Sequence, residues 1–214
     1  MIKVKELVDN LVQTELHNLK MKDSEGVLRE NRLEQVINNI NLGLTDLYTK
    51  FVLKVVEAKY IVEPHQRMFS PVVNTDNEIL EVLNVFHNDE RLFNSGFRAY
   101  TITNASNGAA IKLNYSPDED DVIRIISKAN HKRLVKEDYH NNAECELPLS
   151  YITALNYFVA SRMFTSIVNQ LDGDLNESQR WYQMYLTELK ELRDAGIEAD
   201  NLDNNYWFQE RGFV

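Results

Sequence analysis

Apolar residues recur at helical spacing near the start of the chain. Over residues 2–20 they fall at Val4, Leu7, Val8, Leu11, Val12, Leu16 and Leu19, the single buried stripe of an amphipathic helix. The polar stretch KDSEG, residues 22–26, breaks that pattern and offers Asp23 or Ser24 as a cap for the next helix. The second pattern is sharper: Leu33, Val36, Ile37, Ile40, Leu44, Leu47 and Phe51 step by threes and fours, with Asn38, Asn39, Asn41 and Asp46 on the opposite side. Asparagine is a poor interior helix former, so packing must hold this helix. Gly43 within it costs about 1 kcal/mol relative to Ala, and a close approach of a second helix is the simplest reason for it.

Beyond Phe51 the pattern changes. Residues 51–63 are rich in β-branched and aromatic side chains and end at Pro64, so a strand is expected. Residues 79–86, 97–103, 109–115 and 122–127 are further short strands, separated by the turn sequences HNDER, NASNG and SPDEDD. Periodicity of the helical kind returns at residues 147–170, LPLSYITALNYFVASRMFTSIVNQ. Pro148 suits a first turn, and most of the circumference is apolar or small, so this helix is expected at the centre of the fold. A last helix follows the turn LDGD, with Asn176 and Gln179 spaced as a capping box. It carries Trp181, Tyr182, Tyr185, Leu189 and Leu192, turns Glu188 and Glu191 outward, and stops at Gly196. The expected fold is mainly α: an antiparallel helical bundle with a small inserted antiparallel β subdomain and an extended C-terminal tail. Its divisions are 1–53 for the N-terminal helices, 54–128 for the β insertion, 129–196 for the helical hairpin that completes the bundle, and 197–214 for the tail.

Composition narrows the function. With 23 basic and 33 acidic residues the formal net charge is −10, which disfavours a protein whose main task is to grip phosphates. The one concentrated basic stretch, Lys128, His131, Lys132, Arg133 and Lys136, has no ladder of aromatics for stacking bases and reads as a solvated or interface-facing loop. A single cysteine, Cys145 between two glutamates, forms no intramolecular disulfide and is not set up as a nucleophile. There is no apolar run of signal-peptide or membrane-spanning length.

No catalytic motif stands out, and no GxGxxG, P-loop, HExxH, GxSxG or paired cysteines occur. His131, His140, Glu144 and Cys145 are the nearest thing to a metal set, and solvated loop residues are the plainer reading. The run Asp118, Glu119, Asp120, Asp121 lacks the glycine of a calcium loop, and Asp172, Gly173, Asp174 lacks the following ligands; both read as turns. A hydrolase built on Glu188 and Glu191 would place two exposed helix carboxylates in a role that needs a cleft. No enzymatic activity, cofactor or metal is therefore expected. The tail is the oddity, because the acidic EADNLDNN is followed abruptly by the aromatic YWFQERGFV. Large apolar side chains on so short an extension point to docking on another surface, with folding back on its own domain as the alternative.

The order of these pieces resembles the head-to-tail adaptor (connector or neck) proteins of tailed bacteriophages. It runs from an N-terminal helix through RLEQVINNINLGLTDLYTKF, ILEVLNVFHNDE and DVIRIISKANHKRL to LPLSYITALNYFVASRMFTS, NESQRWYQMYLTELKEL and a tail ending ERGFV. Residues 147–162 are the most distinctive stretch. The resemblance implies a virion structural protein rather than an enzyme. It would sit in the neck between capsid and tail, and in the host cytoplasm during assembly. Its implied partners are a portal protein dodecamer, the tail or nozzle proteins, and its own copies in a ring of about twelve. Encapsidated DNA would pass through the lumen without specific binding, and no membrane is involved. In that picture the tail reaches into the portal through Tyr206, Trp207, Phe208, Arg211, Gly212, Phe213 and Val214. A long, glycine-poor β region departs from the family pattern and leaves open which face meets the tail machinery. The rival reading is an intracellular helical binding module that hooks a partner with the same aromatic tail.

Overall fold

The computed structural model describes residues 1–24, 26–71, 78–93, 98–105, 108–168 and 175–196. They form two compact units, one made of residues 1–51 and 132–214 and the other of residues 52–131. Helix accounts for 44% of the described residues and strand for 27%, with three antiparallel sheets, so the fold is α+β. This corrects the expectation of a mainly α bundle. Strands occupy most of the described part of residues 55–129, and the helical unit carries a strand pair of its own.

In the first unit, β1 (Ile2–Lys3) pairs antiparallel with β9 (Glu144–Cys145), so the chain begins as a strand where helical spacing suggests a helix. The helix α1 (Val4–Gln13) buries Val4, Leu7, Val8, Leu11 and Val12 and ends where the Thr14 hydroxyl turns back to donate to the Asn10 carbonyl, 2.8 Å. A single 3-10 turn, His17–Leu19, and a left-handed Lys20 replace the rest of the expected helix. The long helix α2 (Glu30–Lys50) buries every apolar position of its sequence stripe from Leu33 to Leu47. A short α3 (Lys136–His140) follows the second unit. Pro148 precedes a 3-10 turn, Leu149–Tyr151, that leads into α4 (Ile152–Val168). The last helix, α5 (Leu175–Asp194), starts one residue before Asn176, so Asn176 is not the expected cap. Gly196 adopts φ +63°, a left-handed conformation that costs a residue without Cβ nothing, and its N–H closes the helix on the Arg193 carbonyl at 3.0 Å.

The second unit pairs β2 (Val55–Ile61), β8 (Val122–Ala129), β4 (Ile79–His87) and β5 (Glu90–Leu92) in that spatial order, all antiparallel. A smaller sheet orders β3 (Met68–Phe69), β7 (Gly108–Leu113) and β6 (Tyr100–Ala105). Both bury a common cluster that includes Ala58, Val85, Ile123 and Ile125 from the larger sheet and Phe69, Tyr100, Ile111 and Leu113 from the smaller. Asn88 and Asp89, both at positive φ, make the two-residue turn between β4 and β5.

Candidate functional site

The segment that carries the family resemblance becomes the end of the strand connection, the 3-10 turn and most of α4. Ala154, Leu155, Val159, Ala160 and Met163 are fully buried there. The helix packs along α5 and across α2. Phe158 meets Tyr185 edge-on at 5.3 Å between ring centroids, while Phe164 stacks on Trp181 at 6.5 Å; rising numbers on one helix meet falling numbers on the other, so α4 and α5 are antiparallel. A small polar seam reinforces them. The Ser178 hydroxyl donates to the Ser161 carbonyl at 2.9 Å and lies 2.5 Å from the Thr165 hydroxyl.

Against α2 the approach is closer still. A Cβ on Gly43 would stand 2.6 Å from Leu155 Cδ1 and 2.9 Å from Phe158 Cδ1, which is why this position in α2 carries none. Farther along, the Tyr185 hydroxyl donates to Asp46, which also holds Lys50, and burial together with that carboxylate pushes the Tyr185 phenol far above its ordinary range. Tyr48 donates to the Glu146 carbonyl and is likewise raised, chiefly by burial. Arg162 is exposed on α4, its guanidinium 5.2 Å over the Phe158 ring.

The seven tail residues singled out for docking, Tyr206, Trp207, Phe208, Arg211, Gly212, Phe213 and Val214, lie outside the described residues. Asp172, Gly173 and Asp174 lie outside them too. The other candidates are placed as follows. Lys128 and His131 are buried, so the basic stretch is not one solvated patch; Lys136 instead faces Glu30 at 3.7 Å. His140 also faces Glu30 at 3.7 Å, and Cys145 lies buried in β9, its thiol pushed up to about 12 by burial and then by Glu146. Among the described residues, no three histidine, cysteine or acidic side chains come together as metal ligands. Burial and then the neighbouring Glu191 raise the Glu188 carboxyl; both glutamates lie on the one helix, one turn apart.

Two arrangements escape a reading of the sequence. The acidic turn is organised by its last member: Asp121 accepts from Asn88 Nδ2 at 2.6 Å, from His87 Nε2 at 2.8 Å and from the Asp118 N–H at 2.7 Å. The Asn88 bond is the largest cause holding its carboxyl below the usual range. His87 Nδ1 and the Tyr115 hydroxyl, in rings 5.6 Å apart, are buried without a hydrogen-bond partner. The only advance signal was an apolar strand ending in histidine before a carboxylate-rich turn. The second arrangement is a cleft of about 490 Å³ beyond α1, with His17, Lys20, Lys22 and Arg29 on its lining. Lys20 ends the expected first helix, Lys22 lies in the polar break after it and Arg29 beyond that break, so no compact motif announces the cleft.

Among the described residues no helix is long and apolar enough to cross a membrane. No protein-family model matches the chain, and no curated protein matches it.

Proposed function

We propose that this chain is a head-to-tail adaptor of a tailed bacteriophage. It is a virion structural protein that binds the portal ring, extends and seals the DNA channel, and offers the platform on which the tail attaches. The observation that carries this reading is the part played by residues 147–162. The side chains that make this stretch distinctive, Ala154, Leu155, Val159 and Ala160, are fully buried in α4, the helix that α2 and α5 pack against. Residues spent on a helix–helix seam serve architecture, and they leave the aromatic residues beyond Gly196 to make the contact with the portal. The formal net charge of −10 supports a conduit role, because like charge keeps a passing duplex from adhering. No catalytic role is proposed.

The test is co-sedimentation with purified portal rings, using the full chain and a version ending at Asp203. The full chain is expected to pellet with the rings and the shortened one to remain in solution, which locates the contact in residues 204–214. Binding by both versions would move the contact to the helical unit. Binding by neither would overturn the adaptor reading and favour a binding module of another kind.

A further inference from the structure

The cleft beyond α1 has an apolar floor and a cationic rim. Val12, Leu16 and Met21 are buried beneath it, while His17, Lys20, Lys22 and Arg29 are exposed around it, with Asp23 the one carboxylate on the described lining. Asp23 is engaged locally, accepting from the Val27 N–H at 2.9 Å. Among the described residues no ion pair engages Lys20, Lys22 or Arg29. His17 Nδ1 donates to the Thr14 carbonyl at 2.7 Å, which fixes the ring at the rim. In a chain of net charge −10, a concentration of cations around an apolar hollow of this volume suits an anionic segment that also carries aliphatic side chains.

We infer that this cleft seats residues 197–203 of a second copy of the chain. That segment, IEADNLD, has Glu198, Asp200 and Asp203 for the rim and Ile197 and Leu202 for the floor. Its origin in a second copy follows from reach. Arg29 on the cleft is the residue before α2, and Phe51 is the residue after it; the 21 residues between span about 30 Å. The end of α5 lies at the far end, where the Arg193 guanidinium sits 5.7 Å from the Phe51 ring. Glu198 and Asp200 follow Gly196 so closely that a fully extended chain carries Asp200 only about 14 Å from it. Its own cleft is therefore out of range for these carboxylates, and a neighbouring copy supplies them without that constraint. Such a contact is heterologous, the kind that closes into a ring when the rotation between copies permits. It uses residues up to and including Asp203, whereas the proposed portal contact uses those after it, so the two stand or fall separately.

The experiment mixes equal amounts of unlabelled and heavy-nitrogen full-length chain, without portal, and applies a zero-length carbodiimide cross-linker. Peptides joining Lys20 or Lys22 to Glu198, Asp200 or Asp203 are expected, with light–heavy pairs as frequent as like pairs. The Arg29→Glu variant keeps both lysines, and its yield of these links should fall several-fold with its far-UV CD unchanged. Raised salt should lower the wild-type yield in the same direction, and a chain ending at Asp203 should link as well as the full one. Links confined to like pairs would place the contact within one chain and overturn the inference. So would lysines that join only to other carboxylates, or a yield indifferent to both Arg29→Glu and salt.

Discussion

Replacing Gly43 by alanine sets two known effects against each other. In a helix interior the change gains about 1 kcal/mol of propensity. The new methyl would stand 2.6 Å from Leu155 Cδ1 and 2.9 Å from Phe158 Cδ1, where carbon atoms at rest lie about 3.5–4.0 Å apart, so roughly 1 Å must be found. Neither neighbour yields easily. Leu155 is fully buried, and Phe158 is held between the Tyr185 ring at 5.3 Å and the Arg162 guanidinium at 5.2 Å. Overpacking of this kind costs about 1–3 kcal/mol, so the expected net is a loss of about 1 kcal/mol. Urea unfolding followed by far-UV CD measures it. The Leu155→Ala variant isolates the cause: alone it should cost about 2–5 kcal/mol, and with Gly43→Ala about 1–2 kcal/mol less, because the alanine methyl then occupies space the leucine left. A Gly43→Ala chain more stable than the parent, or strictly additive costs in the pair, would refute the close seam between α2 and α4.

Three further outcomes follow from the described contacts. Asp121→Asn should destabilise the β unit at neutral pH, and the gap from the parent should close as pH falls through the range below the ordinary carboxylate value of about 3.9. The sign follows from the carboxyl being lowered in the folded chain: its stabilisation is present above the unfolded value and lost as the folded group takes up a proton. A gap that persists undiminished in acid, in pH-dependent unfolding, would exclude this origin. Tyr48→Phe removes the hydroxyl that donates to the Glu146 carbonyl and should cost about 1 kcal/mol in the same urea titration, with an unchanged midpoint counting against the bond. Cys145, 1% exposed and with its thiol pushed up to about 12, should ignore a disulfide reagent at mildly alkaline pH until urea is added; prompt labelling of the native chain would contradict its burial.

Long periodic patterns were the legible part of this fold. Leu33 to Leu47 in α2 and the β-branched runs of β2, β4 and β8 repeat often enough for one face to declare itself, and all four lie where the pattern puts them. Short elements carry no period. Ile2 and Lys3 continue the helical spacing of α1, and only the pairing with Cys145 and Glu144, far along the chain, makes them a strand. β3 is similarly brief and is set by its pairing with β7, far along the chain, whereas β5 is set by the two-residue turn that folds it back on β4. Periodicity therefore favours the helices, and points to a bundle where the fold is α+β. Gly43 was readable as a close approach, although its partners Leu155 and Phe158 were not, because periodicity shows that a face is buried and not against what. The His17, Lys20, Lys22 and Arg29 cleft is hidden for a related reason: helical spacing puts His17 and Lys20 on a helix and Lys22 in the break after it, and only the 3-10 turn and the left-handed Lys20 gather them with Arg29.

In the adaptor role proposed above, the chain sits on a portal. Electron microscopy of purified portal rings incubated with excess full-length chain addresses it most directly. An added ring of density is expected on one end of the portal, with the copy number of the portal itself and an open axial channel. Bare portal rings beside free chain, at concentrations where the components are intact and folded, would contradict it.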